Sequence, residues 1–395
     1  MPGDARTPAV AGERRWLPGG DLHTPAVAVD VERLDRNIAR MAAHAASAGI
    51  ALRPHAKTHK SPAIAARQLA AGAAGLTVAT VGEAEVFAAG GATDVFVAYP
   101  LWADADAGRR LTALASAGVH LSVGADSAAG VAQLRRTIEP ATGVSVMVEV
   151  DSGMGRSGGP PAAAGEVALA AVEAGFEVAG VFTFPGHSYR PGAAASVVSQ
   201  EDAALAAAAV AVEADAGVAC IRRSGGSTPT AALTTGGAVN ELRPGVYVFH
   251  DAQQVALGTA TLDDVDLWVV ATVVSTPSAD RLVLDSGSKI LGPERPDYLA
   301  GHGLLPELAG AAVTSLSEHH AVVTLGGGMA GGADGAGGAG VGLGVGAGRG
   351  PRVGDRVAVV PNHVCYTVNL VDELVTIAGG EVADRWPVAA RGRNR

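Results

Sequence analysis

The sequence predicts an α/β protein: a (β/α)8 barrel of the TIM type followed by a smaller, mostly β domain. Three observations carry that expectation. From residue 50 to residue 249, eight short β-rich runs alternate with Ala-rich stretches of helical period. Strands separated by helices pair in parallel through right-handed crossovers, so a closed barrel is the simplest reading and an open doubly wound sheet the alternative. After Gln254 the runs Leu267–Val274, Arg281–Leu284, Ala321–Leu325 and Arg356–Val360 follow one another with no long helix between them. Finally, 395 residues are enough for one large domain or two ordinary ones.

In chain order, residues 1–24 read as a polar lead-in. Pro25 to Val29 is strand-like, and Asp30 is placed to cap a helix in which Leu34, Ile38, Met41 and Ala45 recur at helical spacing. The eight barrel runs are Ile50–Leu52, Leu76–Thr80, Asp94–Ala98, Val119–Val123, Val144–Val150, Glu177–Phe184, Val218–Arg222 and Gly245–Phe249. Helical stretches such as Ser61–Leu69, Ala103–Ala117 and Gln200–Ala214 separate them. The expected domains are therefore 25–255 and 256–390, with residues 1–24 joined to the second. Residues 326–350, nearly all Gly and Ala, bury too little apolar surface to offset their ordering entropy and read as a flexible hairpin loop. Arg391–Arg395 reads as a frayed basic tail.

Composition narrows the function. A net charge of −10 argues against nucleic acid and anionic membranes as partners. Two cysteines, Cys220 and Cys365, are too few for a disulfide framework, so a reducing compartment is expected. With no apolar stretch of signal-peptide length at the start and no run of membrane-spanning length, the expectation is a cytoplasmic protein.

The chemistry-bearing residues fall just after the expected strands, where a barrel places its active site. Arg53-Pro54-His55-Ala56-Lys57-Thr58-His59-Lys60 follows the first run. Burial and like charge from Arg53, His55, His59 and Lys60 would lower the pKa of Lys57 and make it a Schiff-base amine, although a basic surface loop has the same composition. Asp151 to Gly158, containing Arg156, follows the fifth run, and Pro185-Gly186-His187-Ser188-Tyr189 the sixth. Ser224-Gly225-Gly226-Ser227-Thr228-Pro229-Thr230 follows the seventh and offers open amides and hydroxyls, a phosphate cradle or a plain turn.

With these pieces in this order, and with Leu242-Arg243-Pro244-Gly245-Val246-Tyr247, Asp285-Ser286-Gly287-Ser288-Lys289, Ser317-Glu318-His319 and Pro361-Asn362-His363-Val364-Cys365, the chain resembles the fold-type III pyridoxal-phosphate enzymes. These are the alanine racemase-like barrels, and within them it is most similar to the D-serine dehydratase and D-threonine aldolase group. The resemblance implies Lys57 as the cofactor lysine and Arg156 near the phenolic oxygen. It places Gly225, Gly226 and Ser227 at the phosphate, Tyr189 or His187 at the pyridine ring, and His55 and Tyr247 around the pocket. It further implies a metal beside the cofactor on His363 and Cys365, taken to alternate along an extended segment so that both face one way. A Cys/His set favours zinc over manganese or magnesium. His319 is a candidate acid or base. The implied activity is a metal-dependent lyase on D-3-hydroxy amino acids, in which Lys57 moves the α-proton. Dehydration to a 2-oxo acid and ammonia is preferred, because Cys365 stands where aldol-cleaving members tend to carry Asp. Retro-aldol cleavage to glycine and an aldehyde, with His187 as base, is the close alternative; racemisation and non-catalytic cofactor binding are the others. A homodimer is implied by the resemblance alone.

Overall fold

The computed structural model describes residues 16–326 and 350–395. The lead-in through residue 15 and all but the ends of the Gly-rich stretch lie outside the described residues. The chain divides into two compact units, one formed by Arg33–Asp264 with Pro387–Arg395, the other by the described residues up to Glu32 with Val265–Trp386.

Strand β1 (Ala26–Asp30) leads into helix α1 (Val31–Ala48), whose buried Leu34, Ile38, Met41 and Ala45 are the apolar stripe read from the sequence. The barrel strands follow: β2 (Ala51–Leu52), β3 (Leu76–Val78), β4 (Asp94–Pro100), β5 (His120–Ala125), β6 (Ser145–Glu149), β7 (Val178–Phe182), β8 (Arg222–Gly225) and β9 (Glu241–Leu242). All pair in parallel in the order β2-β9-β8-β7-β6-β5-β4-β3. Backbone bonds from Ala74 N to Leu52 O (2.8 Å) and Thr77 N to Pro54 O (2.9 Å) close the ring between β3 and β2. The intervening helices are α2 (Pro62–Ala70), α3 (Val81–Ala89), α4 (Ala105–Ser116), α5 (Ala128–Thr137), α6 (Ala164–Glu173), α7 (Ala194–Ala216) and α8 (Thr228–Ala231). Their starts are chemically specified. Pro62 opens α2, while the side chains of Thr80, Asp104 and Ser127 accept the N–H of Glu83, Ala107 and Gly130 at the starts of α3, α4 and α5.

Two barrel strands differ from expectation. The eighth is Glu241–Leu242, and Gly245–Phe249 instead forms a 3-10 turn at Val246–Val248. The seventh is Arg222–Gly225, further along than Val218–Arg222. In both cases apolar, β-branched residues drew the expectation, whereas this barrel fills part of its interior with charge. Arg53 Nε meets Glu241 Oε2 at 2.8 Å and its Nη1 meets Asp94 at 2.6 Å, while Arg222 reaches Glu241 at 3.3 Å. Ser224 Oγ donates to Glu241 at 2.6 Å. Beside this network Phe96 and Phe182 pack edge-on at 4.9 Å, with the Arg243 guanidinium 5.6 and 5.3 Å from their ring centres.

Glu241→Ala leaves the buried Arg53 with only Asp94 and the half-buried Arg222 without its carboxylate, so the protein should lose about 3 kcal/mol in urea unfolding. Burial alone would raise the Glu241 carboxyl, but Arg53 and Arg222 outweigh it and hold it below 4.5. Because the folded pKa is depressed, this contribution is complete above the unfolded value. It is lost as pH falls through the folded one, so the Ala variant should show less acid sensitivity in that window.

Helix α9 (Ala252–Ala256) ends the barrel chain, and the second unit resumes with β10 (Leu267–Ser278) and β11 (Arg281–Leu284). A short helix, α10 (Ser288–Leu291), precedes β12 (Gly303–Leu304), β13 (Ala312–Leu316), β14 (Ala321–Thr324) and β15 (Arg356–Pro361). Helix α11 (Val364–Asn369), β16 (Glu373–Ala378) and β17 (Glu381–Pro387) complete it. The strand at residues 26–30, expected at the head of the barrel, belongs to this sheet: β1 lies between β10 and β16. The strands flanking the Gly-rich stretch are not hairpin partners, since β14 pairs with β11 and β13 and β15 with β10 and β12.

The basic tail is docked, not frayed. Ala390 N donates to Lys60 O (3.0 Å), Gly82 N to Arg395 O (3.1 Å), and Val388 and Ala390 are buried. The expectation that no run reaches membrane-spanning length also needs correction. The 23-residue α7 qualifies by length and composition, yet its face of Val197, Ala204, Leu205, Ala208 and Val212 is buried where it packs on α6, β7 and β8.

Candidate active site

The apolar run that opens the barrel ends at Leu52, and the chain then crosses the rim. His55 N bonds Pro244 O (3.0 Å), and the 3-10 turn Ala56–Thr58 carries Lys57 half-buried. Two of the cations expected to crowd this lysine are neutralised elsewhere. Arg53 is spent on Asp94 and Glu241, and Lys60, in a left-handed conformation at φ 50°, pairs with buried Glu83 at 3.2 Å. The positive charge felt in the loop has other sources. Burial, then Lys57, Arg243, Arg156 and His59, hold the His55 imidazole well below its usual value, and its Nδ1 is buried without a hydrogen-bond partner.

His59 and Tyr247 form the floor. Ser61 N–H donates to His59 Nδ1 (3.1 Å), so in the neutral ring Nε2 carries the proton and donates to Gln68 Oε1 (3.1 Å). Burial keeps His59 at about 4, hence neutral. Gln68 Nε2 in turn donates to the Tyr247 hydroxyl (3.0 Å), which burial makes a weaker acid. Tyr247 is buried, 1% exposed, and tied through Gln68 to His59 beside the lysine turn.

The remaining rim loops come together around Lys57. Its amine stands 5.5 Å from the centre of the Phe184 ring, just beyond β7, and the Arg156 guanidinium stands 5.0 Å from the same ring. Asp151 fixes the loop that carries Arg156: its Oδ1 accepts the N–H groups of Gly153 and Met154 at 2.9 Å and of Gly155 at 3.1 Å. Behind it, Glu149 accepts from Ser157 Oγ (3.0 Å) and lies 4.0 Å from Arg156; burial raises this carboxyl despite both neighbours. His187 is held by Gln200 at 2.8 Å. Tyr189 ends the same 3-10 turn, partly exposed.

The Ser224–Thr230 run closes the circle. Ser227 caps α8 and exchanges bonds with Thr230, while Ser188 Oγ lies 2.8 Å from Ser227 Oγ. Thr228 Oγ1 accepts the Tyr247 N–H (3.1 Å) and so ties this turn to the loop after β9. Gly226 sits at φ 87°, and a Cβ on Gly225 would collide with Glu201 Oε1. A side chain is excluded at both positions, one by conformation and one by space.

The donors fit pyridoxal phosphate: a rim lysine beside an aromatic ring, an adjacent guanidinium, three buried hydroxyls at a glycine turn, and an orphaned His55 Nδ1. Reading residues in isolation missed Phe184, the His59–Gln68 relay, Arg243 and Glu201. Arg243 and His59 lay within motifs picked out beforehand, though not in these roles; Phe184, Gln68 and Glu201 carry no linear signal.

In the β domain, the alternation argument for His363 and Cys365 does not hold. His363 is extended (φ −139°), but it is the residue before α11, and Cys365 is already helical. The His363 ring packs edge-on to Tyr366 at 5.8 Å. Among the described residues no group of three or more His, Cys, Asp or Glu side chains is arranged to hold a metal. His319 is exposed in the turn Ser317–His320 between β13 and β14, closed by Ser317 N to His320 O (2.8 Å). Asp285 is structural, accepting from Thr24 Oγ1 (2.7 Å) and Thr272 N (2.8 Å).

Residues 29–253 match the alanine racemase N-terminal domain, and residues 267–377 match a putative serine dehydratase domain. D-threo-3-hydroxyaspartate dehydratase of Delftia sp. strain HT23 is 36% identical, over 88% of this chain and 92% of the relative. D-threonine aldolase of an Arthrobacter species is 31% identical over 95% and 94%. A solved structure of D-threo-3-hydroxyaspartate dehydratase, a Cys-to-Ala mutant in metal-free form, superposes with TM-score 0.80 at 32% identity, covering 93% of this chain and 97% of that one. A His-to-Ala mutant of that enzyme, altered two positions earlier, matches equally well. The chain thus belongs to the fold-type III pyridoxal-phosphate enzymes, as an alanine racemase-type barrel joined to a serine dehydratase-type domain.

Proposed function

We propose that the protein is a pyridoxal-phosphate- and metal-dependent lyase of D-3-hydroxy amino acids, acting as a dehydratase that yields a 2-oxo acid and ammonia. The observation that carries this reading is the rim lysine, Lys57, sharing the Phe184 ring with Arg156 within a ring of contacts that includes the Ser188–Ser227–Thr230 hydroxyls. Bound to Lys57, the cofactor would supply an aldehyde that condenses with the substrate amine and a π-system that takes up the electron pair released at Cα.

The chain's own groups do the rest. Lys57 Nζ takes the proton from the substrate's Cα. Arg156 donates hydrogen bonds to an anionic ring oxygen, and the hydroxyls of Ser188, Ser227 and Thr230 donate to phosphate oxygens. Tyr189 or its neighbour His187 would lie at the pyridine ring, with His187 oriented by Gln200. The hydrogen-bonded relay His59–Gln68–Tyr247 holds the lysine turn rigid, so the amine is presented at a fixed point. His363 and Cys365 would hold a divalent cation, with zinc the expected ion, whose Lewis acidity assists departure of the β-hydroxyl as hydroxide. A relative whose metal-free form is a Cys-to-Ala mutant, with its His-to-Ala counterpart two positions earlier, supports this pair, because His363 and Cys365 have the same spacing. His319, exposed in its turn, is retained as an acid/base candidate. A cytoplasmic homodimer belongs to the same proposal.

The D-threonine aldolase among the relatives makes retro-aldol cleavage the second reading, with His187 moving the proton of the β-hydroxyl. Incubation with D-serine, D-threonine and D-threo-3-hydroxyaspartate, with zinc or manganese added, separates them. Ammonia and a 2-oxo acid are expected. Glycine plus an aldehyde would replace the dehydratase assignment with the aldolase, and recovery of the L-isomer alone would overturn both.

A further inference from the structure

The glycine turn at the barrel rim is held from behind by an acid that the mechanism does not use. Glu201, on α7, is fully buried. Its Oε1 accepts the Gly226 N–H and occupies the space a Gly225 side chain would need, and the Thr230 hydroxyl of the same turn also acts on the carboxyl and favours its ionised form. The neighbouring Gln200 holds His187, so one turn of α7 serves both the ring loop and the phosphate loop.

The charged groups acting on this carboxyl are Arg243, from the loop after β9, and Asp202 on its own helix. The elements packed on α7 add no further charge to the turn. Strand β7 and helix α8 carry no titratable residue. Arg222 is engaged by Glu241 and Arg223 by Ala238 O, His187 is bound to Gln200, and Glu166 and Glu173 of α6 are exposed. Burial dominates and lifts Glu201 to about 7, against the Gly226 N–H and Arg243.

We propose that Glu201 is a positioning residue for the anion-binding turn, and that a phosphate monoester seats there only when this carboxyl carries a proton. The inference rests on the pyridoxal-phosphate reading above. A phosphate monoester brings a charge of about −1.5 to −2 at neutral pH. An ionised carboxylate buried behind the same turn would oppose it by like charge in a medium that screens poorly. Protonated, the side chain still accepts the Gly226 N–H through its carbonyl oxygen and keeps the turn in shape. Binding therefore takes up one proton at any pH where the free protein holds Glu201 ionised, and affinity falls as pH rises through that range.

The test uses pyridoxine 5′-phosphate, which has the phosphate but no aldehyde for Lys57, titrated calorimetrically into the full-length protein. At pH 8, in two buffers of different ionisation enthalpy, wild type should take up close to one proton per ligand and Glu201→Gln almost none. Between pH 6.5 and 8.5 the wild-type affinity should weaken about tenfold more than that of the Gln variant, since one ionisation changes affinity at most tenfold per pH unit. Glu201→Leu, which removes the acceptor for Gly226, should bind weakly at both pH values. Equal proton uptake by wild type and Gln variant overturns the linkage, and a folded Leu variant that binds like wild type overturns the positioning role. If wild type and Gln variant both fail to bind at every pH, the pyridoxal-phosphate reading itself falls, and this proposal with it.

Discussion

Lys57→Ala should abolish the visible absorption of a lysine-bound pyridoxal phosphate and lower lyase activity by on the order of a thousandfold or more, because the residue proposed both to anchor the cofactor and to act as base at Cα is lost. The substitution removes a half-buried amine whose stem packs near Phe184, so the fold should survive. Thermal unfolding should shift by only a few degrees, as for a surface change. Noncovalent retention of pyridoxine 5′-phosphate by the variant would show that the pocket is intact and that only the covalent partner is gone. If the variant keeps the visible band, another amine holds the cofactor. Lys60 is excluded structurally, since its amine is buried against Glu83.

Cys365→Ala should leave that absorption unchanged and lower turnover by at least about a hundredfold, with bound zinc, measured by elemental analysis, falling from about one equivalent per chain to nearly none. If the pair holds the cation as proposed, losing one of its two ligands removes much of the binding free energy, and a hydroxide leaving group without a Lewis acid is a poor one. His363→Ala should behave alike, and the double variant should be no worse than either single one, because the two side chains act as a unit. A chelator should inactivate the wild type and leave the residual activity of the variants untouched. Full zinc content in Cys365→Ala would remove this residue from the metal site. Conversion to Asp, with manganese supplied, bears on reaction type: a harder ligand set that moves product from oxo acid toward glycine would tie the choice of reaction to the metal.

The barrel was largely legible because its signals are local. Short apolar runs separated by helical Ala-rich stretches fix the number and sense of the strands, and Lys57, Arg156, His187 and Ser227 fall at strand ends by simple counting. Where the reading slipped, a long-range interaction overrode a local one. Arg222–Gly225 is a strand although it reads Arg-Arg-Ser-Gly, because the buried carboxylate of Glu241 on the neighbouring strand β9 meets that arginine. Val246–Val248 is a 3-10 turn although it is β-branched and aromatic, because Tyr247 is claimed by Gln68 and Thr228. The tail at Arg391–Arg395 looked frayed by charge, yet the bond from Ala390 N to Lys60 O just before it and the bond from Gly82 N to Arg395 O within it hold it down. His363 and Cys365 were read as alternating along an extended segment, but a helix begins between them.

Periodicity, composition and motif order are properties of the linear chain. They are enough to specify an alternating barrel, a β domain following it in the chain, and a lysine just after the first barrel strand. Which cation faces which carboxylate is another matter. Arg53, Lys60 and Arg243 are interchangeable to a reader of sequence, and only folding sends the first to Asp94 and Glu241 and the second to Glu83 while stacking the third between phenylalanine rings. The acid behind the glycine turn was invisible for the same reason. Residues 201 and 226 meet because a 23-residue helix packs along two strands, and a buried charge takes its meaning from the neighbours that replace water.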